Sequence, residues 1–293
     1  MNPNTSEVTG VDHVIIAVRD LVEAEKNYTA IFGRAPSWRG THPGMGSANV
    51  LYRLANTYVE LLAPVAEGPT ADMLKAHLDK VGEGVFGLAL GLADAAAAQG
   101  AFAARGLQGS APTDGSGTDD LTGATRRWRT IMFPREATRG LFLFGIQHLG
   151  SADALPPAPL SAGVSEDQAI PALDHIVVMT PDAEATKALF GAQFGIRLAL
   201  DQTKPEWGVR QLFFRTGSVT IEVVQSLDPA KAPKSERFWG LAWRVPSIRP
   251  VHARLEKSGL DVSEMRSGRK PGTEVATIRK PTHGVPTLLV GQA

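Results

Sequence analysis

Short apolar runs alternate with helical periodicities along this chain, and the alternation recurs four times. Val11–Val18 is rich in Val and Ile, the composition of a buried strand. Asp20 follows at an N-cap position, and Leu21–Phe32 places Ala24, Tyr28, Ile31 and Phe32 on one helical face before Gly33 stops it. Ala35–Arg39 reads as a further strand. A Gly/Pro-rich stretch, Gly40–Gly46, then leads to Asn49–Leu54 and Thr57–Leu62, two strands joined at Ala55-Asn56. Leu173–Val224 repeats this order of strand, helix and three strands. Two weaker copies complete the set. One runs through Val85–Leu92, a helix over Asp94–Arg105, and strands Arg126–Phe133 and Gly140–Ile146. The other runs through Phe238–Val245, a helix over Ile248–Lys257, and strands Val275–Arg279 and Val285–Val290. The pattern predicts four βαβββ modules at 11–64, 84–148, 173–226 and 237–291. Gly150–Pro171, rich in Ala, Pro and Ser, reads as the linker between units at 1–150 and 172–293.

Modules one and three match without a gap. His13 and His175 lie 162 residues apart, and the same offset carries Asp12 onto Asp174, Asp20 onto Asp182, Phe32-Gly33 onto Phe194-Gly195, Arg53 onto Arg215 and Glu60 onto Glu222. A duplication that kept only packing residues has no need of His and Glu, both of which bind divalent metals. The competing explanation is structural, because a His–Glu hydrogen bond across two strands satisfies both groups without a metal. Against that stands the cost of keeping a buried carboxylate twice where Leu packs as well.

Composition narrows the partners. Lys+Arg and Asp+Glu both number 30, so no net charge draws nucleic acid or an anionic membrane. Cysteine is absent, which removes disulfides, thiolate metal sites and Cys nucleophiles. The polar start MNPNTSEVTG lacks the apolar core of a signal peptide, and every apolar run is shorter than the roughly 18–20 residues of a membrane helix. A soluble, cytoplasmic, bacterial protein is expected, with a small-molecule substrate and a homodimeric state as the remaining partner expectation.

The stretches VDHVIIAVRDLVEAEKNYTAIFG, HPGMGSANVLYRL and TYVELLAP resemble the glyoxalase-like branch of the vicinal oxygen chelate superfamily. That superfamily includes glyoxalase I, extradiol dioxygenases, epimerases and bleomycin-resistance binding proteins. The resemblance implies an α+β fold, in which four βαβββ modules form two half-open mixed β-sheet barrels with helices outside. It also implies a divalent metal (Zn, Ni, Mn or Fe) held by the first and fourth strands of each module. Carried onto this chain, the metal ligands are His13, Glu60, His175 and Glu222, with Glu60 and Glu222 as catalytic bases. Modules two and four depart from the pattern, having Gly87 and Phe144, and Gly240 and Leu288, at those positions. If module one faces module three, the four ligands form one set. If one pairs with two and three with four, each barrel holds a single His and Glu, and each half-site needs a further ligand such as His42 or is vestigial.

Trp38, His42, Trp128, Trp207 and Arg210 are the expected substrate contacts, aromatic and cationic groups suited to a planar or anionic ligand. His77 is expected to be solvent-exposed on a polar helix, Asp72–Asp79, and His283 to sit in a turn near a barrel mouth. The function these residues imply is a metal-dependent glyoxalase-type lyase or an isomerase/epimerase acting on a small oxygen-chelating molecule. The alternatives are a non-catalytic binding protein of the bleomycin-resistance type and an extradiol ring-cleaving dioxygenase. No phosphate loop, dinucleotide fingerprint or nucleophile elbow competes with these readings.

Overall fold

The computed structural model describes residues 7–293, so the reading of the chain's start as leaderless lies partly outside the described residues. Module one is β1 (Val8–Ala17), α1 (Leu21–Phe32), β2 (Trp38–His42), β3 (Ser47–Arg53) and β4 (Tyr58–Pro64). A bridging helix α2 (Pro69–Lys80) leads to module two: β5 (Gly84–Leu92), α3 (Ala95–Ala104), β6 (Thr113–Thr118), β7 (Thr125–Met132) and β8 (Phe142–Leu149). Module three is β9 (Ala172–Thr180), α4 (Ala183–Lys187) continued by a π-helical turn over Ala188–Gln193, β10 (Arg197–Lys204), β11 (Val209–Thr216) and β12 (Val219–Ser226). Module four is β13 (Arg237–Ser247), α5 (Ile248–Lys257), the short β14 (Asp261–Val262) and β15 (Arg266–Ser267), then β16 (Thr273–Lys280) and β17 (Thr287–Gln292). No helix is long and apolar enough to cross a membrane among the described residues.

Two mixed sheets result. The first runs β2-β3-β4-β1-β5-β8-β7-β6 and the second β10-β11-β12-β9-β13-β17-β16-β14, with β15 attached to β16. In each, the first strands of consecutive modules meet antiparallel, β1 with β5 and β9 with β13. Module one therefore pairs with two and module three with four, and each sheet curls into a barrel-like form with the module helices outside, while α2 packs against the inner face of the first. In the first barrel the edge strands nearly meet. The Arg39 amide donates to Asp119 Oδ1 and the Asp120 amide donates to the Arg39 carbonyl.

The first helices follow their local sequence. Asp20 accepts from the amides of Val22 and Glu23, while Asp182 accepts from Ala185 alone. Gly33 ends α1 at φ +66°, left-handed backbone that glycine adopts without a Cβ penalty.

One apolar core joins the two halves, and it does so with the repeat's own symmetry. Phe32 at the end of α1 packs edge-on to Trp243 of module four, with ring centres 5.0 Å apart. Its repeat mate Phe194 packs edge-on to Phe102 and Phe133 of module two, at 5.5 and 5.2 Å. Arginines reinforce the crossing. Arg254 donates to the carbonyls of Ala30 and Ile31 at the end of α1, and Arg105 donates to the Gln193 carbonyl at the end of the π-helical turn. Both cations meet helix C-terminal carbonyls, where positive charge is favoured. The segment expected to be a loose linker is packed instead, with Ala158, Ala169 and Ile170 fully buried and the Arg34 backbone bridged to Leu160.

Candidate active site

Strand alternation sends His13, Ile15 and Ala17 of β1 to one face, and Glu60 and Leu62 of β4 to the same face. In parallel register His13 lies opposite Tyr58 and Ile15 opposite Glu60. Those positions bring His13 Nε2 to 3.5 Å from Glu60 Oε2. The same register in β9 and β12 brings His175 Nε2 to 3.3 Å from Glu222 Oε2. Each dyad is held from both ends. Asp12 Oδ1 accepts from His13 Nδ1 at 2.7 Å and Asp174 Oδ1 accepts from His175 Nδ1 at 2.9 Å, which turns Nε2 of each ring toward its glutamate. Asn49 Nδ2 donates to Glu60 Oε1 at 2.7 Å, and Gln211 Nε2 donates to Glu222 Oε1 at 2.6 Å. Asn49 and Gln211 are themselves 162 residues apart. An amide repeated at the dyad's own offset is the sequence signal for this support, beside the repeated His and Glu.

The aspartates are anions in both barrels. Burial opposes the charge on Asp12, yet hydrogen bonds from His13 and His148 hold its carboxyl well below the usual 3.8. The hydrogen bond from His175 lowers Asp174, aided by the charges of Arg244 and Arg215.

The barrels differ in what covers the dyad. Tyr58 stacks on the His13 ring with centres 4.3 Å apart, and Phe144 meets it edge-on at 5.5 Å. Burial raises the Tyr58 phenol well above its ordinary 10, so it stays neutral. Leu74 and Leu78 of α2 join Ile15, Leu62, Phe86 and Phe144 in filling the barrel, and Leu155 closes over Trp38 and Tyr58. In the second barrel Thr220 stands where Tyr58 does, Leu288 stands for Phe144, and a three-residue turn at Pro229–Lys231 replaces α2. The His13 side chain is 4% exposed and that of His175 is 21% exposed. Leu200 and Trp239 stand exposed in the second barrel's strands.

The pairing decides between the two ligand arrangements. His13 and Glu60 sit in one barrel and His175 and Glu222 in the other, so the joint four-residue set does not form. No group of three or more His, Cys, Asp or Glu is placed to hold a metal ion among the described residues. The half-sites opposite the dyads are also sterically closed. A Cβ on Gly87 lies 2.5 Å from the Phe142 ring, and one on Gly240 lies 2.5 Å from the Pro286 carbonyl oxygen. A catalytic metal usually takes three protein ligands, so the two donors of each barrel do not fit a resident ion of that kind. His42 does not complete the set: it ends β2 instead of lying in a loop, with Nδ1 on Ser47 Oγ at 2.8 Å and Nε2 3.4 Å from Asn49 Nδ2.

Of the expected substrate contacts, Trp38, His42 and Trp128 line one pocket in the first barrel. Arg210 does not join them. Its side chain is spent on Asp201 at 2.8 and 2.9 Å and on Glu184 of α4 at 2.6 Å, on the helix side of β11 and opposite in alternation to Gln211. Trp207 lies at the tip of the β10–β11 hairpin beneath Arg269, whose guanidinium is 4.0 Å from the ring centre. His77 is half-buried against Phe86, and burial with the nearby Arg135 lowers its pKa. His283 lies between the halves, bonded to Glu83 and Asn27 at 3.0 Å, away from either dyad. Among the described residues Arg53 and Arg215 make no ion pair, donating to linker carbonyls and to Thr220 Oγ1 respectively.

A family profile described as Glyoxalase-like domain matches residues 11–168, and one described as Glyoxalase/Bleomycin resistance protein/Dioxygenase superfamily matches residues 174–277. Among solved structures the chain is similar to a mutant of 4-hydroxymandelate synthase from Streptomyces coelicolor. That match has 14% identity and a TM-score of 0.71, and it covers 98% of this chain and 93% of that one. It is also similar to the Mn(II)-bound glyoxalase from Novosphingobium aromaticivorans, with 15% identity, a TM-score of 0.62, and 98% and 83% of the two chains covered. A hypothetical protein from Staphylococcus aureus matches with 12% identity and a TM-score of 0.63, over 95% of this chain and 98% of that one. At these identities the likeness is one of fold. No curated protein gave a significant match.

Proposed function

The chain belongs to the glyoxalase-like domain family of the vicinal oxygen chelate superfamily, and from that premise we propose that it is an enzyme of the lyase or isomerase kind whose chemistry takes place in the C-terminal barrel. The observation that carries this reading is the Asp174–His175···Glu222 chain, whose histidine side chain is 21% exposed against 4% for His13 in the N-terminal twin, while the two glutamates are equally buried. Gln211 occupies Glu222 Oε1 and leaves Oε2 facing the barrel. Asp174 occupies His175 Nδ1 and leaves Nε2 beside that oxygen. Two atoms able to carry a proton, 3.3 Å apart, suit a proton taken from one substrate position and returned at another. Glu222 as base removes a proton from carbon next to a carbonyl, and His175 as acid delivers one to the neighbouring carbon or oxygen.

A divalent ion, the cofactor that the family resemblance implies, finds two protein donors in this barrel among the described residues, fewer than a resident catalytic metal takes. The dioxygenase reading asks for donors from module four, where Gly240 and Leu288 stand. The test is proton exchange. The protein is incubated in D₂O with a panel of small 2-oxo acids and 2-hydroxy carbonyl compounds, and loss of the C–H signal is followed by proton NMR. Exchange that persists after dialysis against EDTA and disappears in Glu222→Gln is the expected result. Exchange lost to EDTA and restored by Mn²⁺ or Zn²⁺ returns the site to metal chemistry. No exchange with any compound leaves the chain a binding protein.

A further inference from the structure

The inner face of the C-terminal sheet, on which His175 and Glu222 stand, differs in chemistry at its two ends. One end is cationic. Strand alternation puts Arg215 on the face of Gln211, the glutamate's partner, and Arg244 on the face of Ala242, which lies opposite His175 in register. Arg197 lies directly opposite Arg215 on β10 and so shares that face. All three arginines are exposed, and among the described residues none makes an ion pair. Arg215 donates to Thr220 Oγ1 at 3.0 Å. Like charges opposite one another on paired strands repel, so an anion between Arg197 and Arg215 removes a cost that the sheet now bears.

The N-terminal barrel carries no such cations at the same places. Arg53, the repeat mate of Arg215, is spent on the carbonyls of Ala152 and Leu155. Ala35 is the mate of Arg197, and Gly91 stands in β5 where Arg244 stands in β13. Asp12 is answered by His148 as well as His13. Asp174 has a hydrogen bond from His175 alone among the described residues, and it feels Arg244 and Arg215 through their charge. The other end of the C-terminal face is apolar. Phe213 lies opposite Glu222 on β11, Val177 lies opposite it on β9, and Leu200 lies opposite Phe213 on β10. Phe213 is half-buried and Leu200 is 47% exposed, so apolar surface stands open beside the dyad.

We propose that the substrate of the C-terminal dyad is a carboxylate with an apolar body, its head group on Arg215, Arg244 and Arg197 and its hydrocarbon across Phe213 and Leu200. This rests on the assignment of the chemistry to this barrel. The guanidinium fork suits a carboxylate, which two parallel hydrogen bonds can hold. The formal charges of the three arginines, set against Asp174 and Glu222, leave a single positive charge, which matches a monoanion. His175 shares its level on the sheet with Arg215, and Glu222 shares its level with Phe213. The carbon that loses its proton is therefore the one that joins head and body, and not one at the far end of the hydrocarbon.

The probe is 3-phenylpropanoate, titrated calorimetrically into the full-length protein, with 3-phenylpropanamide as the uncharged control and acetate as the control without a body. The probe is expected to bind saturably, and each control at least about tenfold more weakly. Arg215→Gln and Arg244→Gln should each weaken the probe about tenfold, and Arg244→Lys, which keeps the charge and loses the fork, by a smaller factor. Circular dichroism on the variants reports whether the fold is kept. Glu222→Gln should bind the probe at least as well as the wild type, because it removes a negative charge beside the ligand. Saturable, arginine-dependent binding together with no proton exchange in D₂O upholds the ligand class and removes the catalytic reading alone. No saturable binding of the probe overturns the proposal, as does an amide that binds as tightly as the acid. So does binding that survives Arg215→Gln and Arg244→Gln and is lost in Arg237→Gln, because Arg237 lies opposite Met179 at the far end of the face.

Discussion

The two barrels carry the same dyad in the same strand register and differ in what surrounds it. In the N-terminal barrel an aromatic ring stacks on the histidine, a second meets its edge, and α2 presses two leucines into the interior. In the C-terminal barrel the corresponding places hold Thr220, Leu288 and a three-residue turn. Burial of an imidazole and a carboxylate is costly unless each is hydrogen-bonded, and both copies meet that cost identically with an aspartate and a side-chain amide. What the sealed copy adds is packing, and what the open copy keeps is access. Duplication thus left one histidine packed under aromatic rings and one that is partly exposed.

The sharpest break of this comparison is a matched pair of knockouts. Glu222→Gln and His175→Ala should each lower exchange turnover by about 10²–10⁴-fold, the usual contribution of a general acid or base. Glu60→Gln and His13→Ala should lower thermal stability and leave turnover within a small factor. Steady-state rates and melting curves on the four proteins settle it. Equal rate losses in both pairs would mean that the sealed dyad also reacts.

Exchanging the cover comes next. Tyr58→Ala removes a fully packed ring from over His13 and should cost about 3 kcal/mol or more in a denaturant titration. Thr220→Tyr places a ring over His175 and should suppress turnover while keeping the fold, as circular dichroism will report. A Thr220→Tyr protein with full activity would sever the link between access and function.

How much of this was legible beforehand depends on whether the determinant was local. Leu21–Phe32 and Ile248–Lys257 form helices over the predicted residues because the apolar stripe is local to each segment, with an Asp20 cap added in the first. Thr113–Thr118 was not read as a strand, since TDGSGT carries no apolar alternation. Its identity comes from pairing with β7, where Gly115 and Gly117 make room for Trp128. Module pairing was equally invisible, because a repeated His and Glu is compatible with either arrangement and only the β1–β5 and β9–β13 ladders decide. Arg210 was misplaced for the opposite reason. Its residue type suggested a ligand, while its place beside Gln211 on a strand already set it on the other face.

Acid pH provides a milder test of the same contrast. Asp12 and Asp174 both titrate below the usual 3.8 in the folded chain, so each contributes stability that is fully present above that value and is lost as pH falls from it through the lower folded-state value. Asp12 holds two histidines, His13 and His148, and Asp174 holds one. Asp12→Asn should therefore flatten the acid limb of the stability curve, measured from about pH 5 down to about pH 1, more than Asp174→Asn does. Equal flattening would show that the second histidine adds nothing.

The smallest expected difference lies at the helix caps. Asp20 accepts two amide hydrogens at the start of α1, whereas Asp182 accepts one at the start of α4, which breaks into a π-helical turn within two turns. Removing an N-cap aspartate costs about 1 kcal/mol, through the lost hydrogen bonds and the lost interaction with the helix dipole. Asp20→Ala should stand at or above that figure and Asp182→Ala below it, as read from the midpoints of paired urea titrations. The reverse order would point to the π-helical helix as the more cap-dependent of the two. The greater regularity of α1 would then come from Phe32 against Trp243 and from Arg254 at its last carbonyls, and not from its first turn.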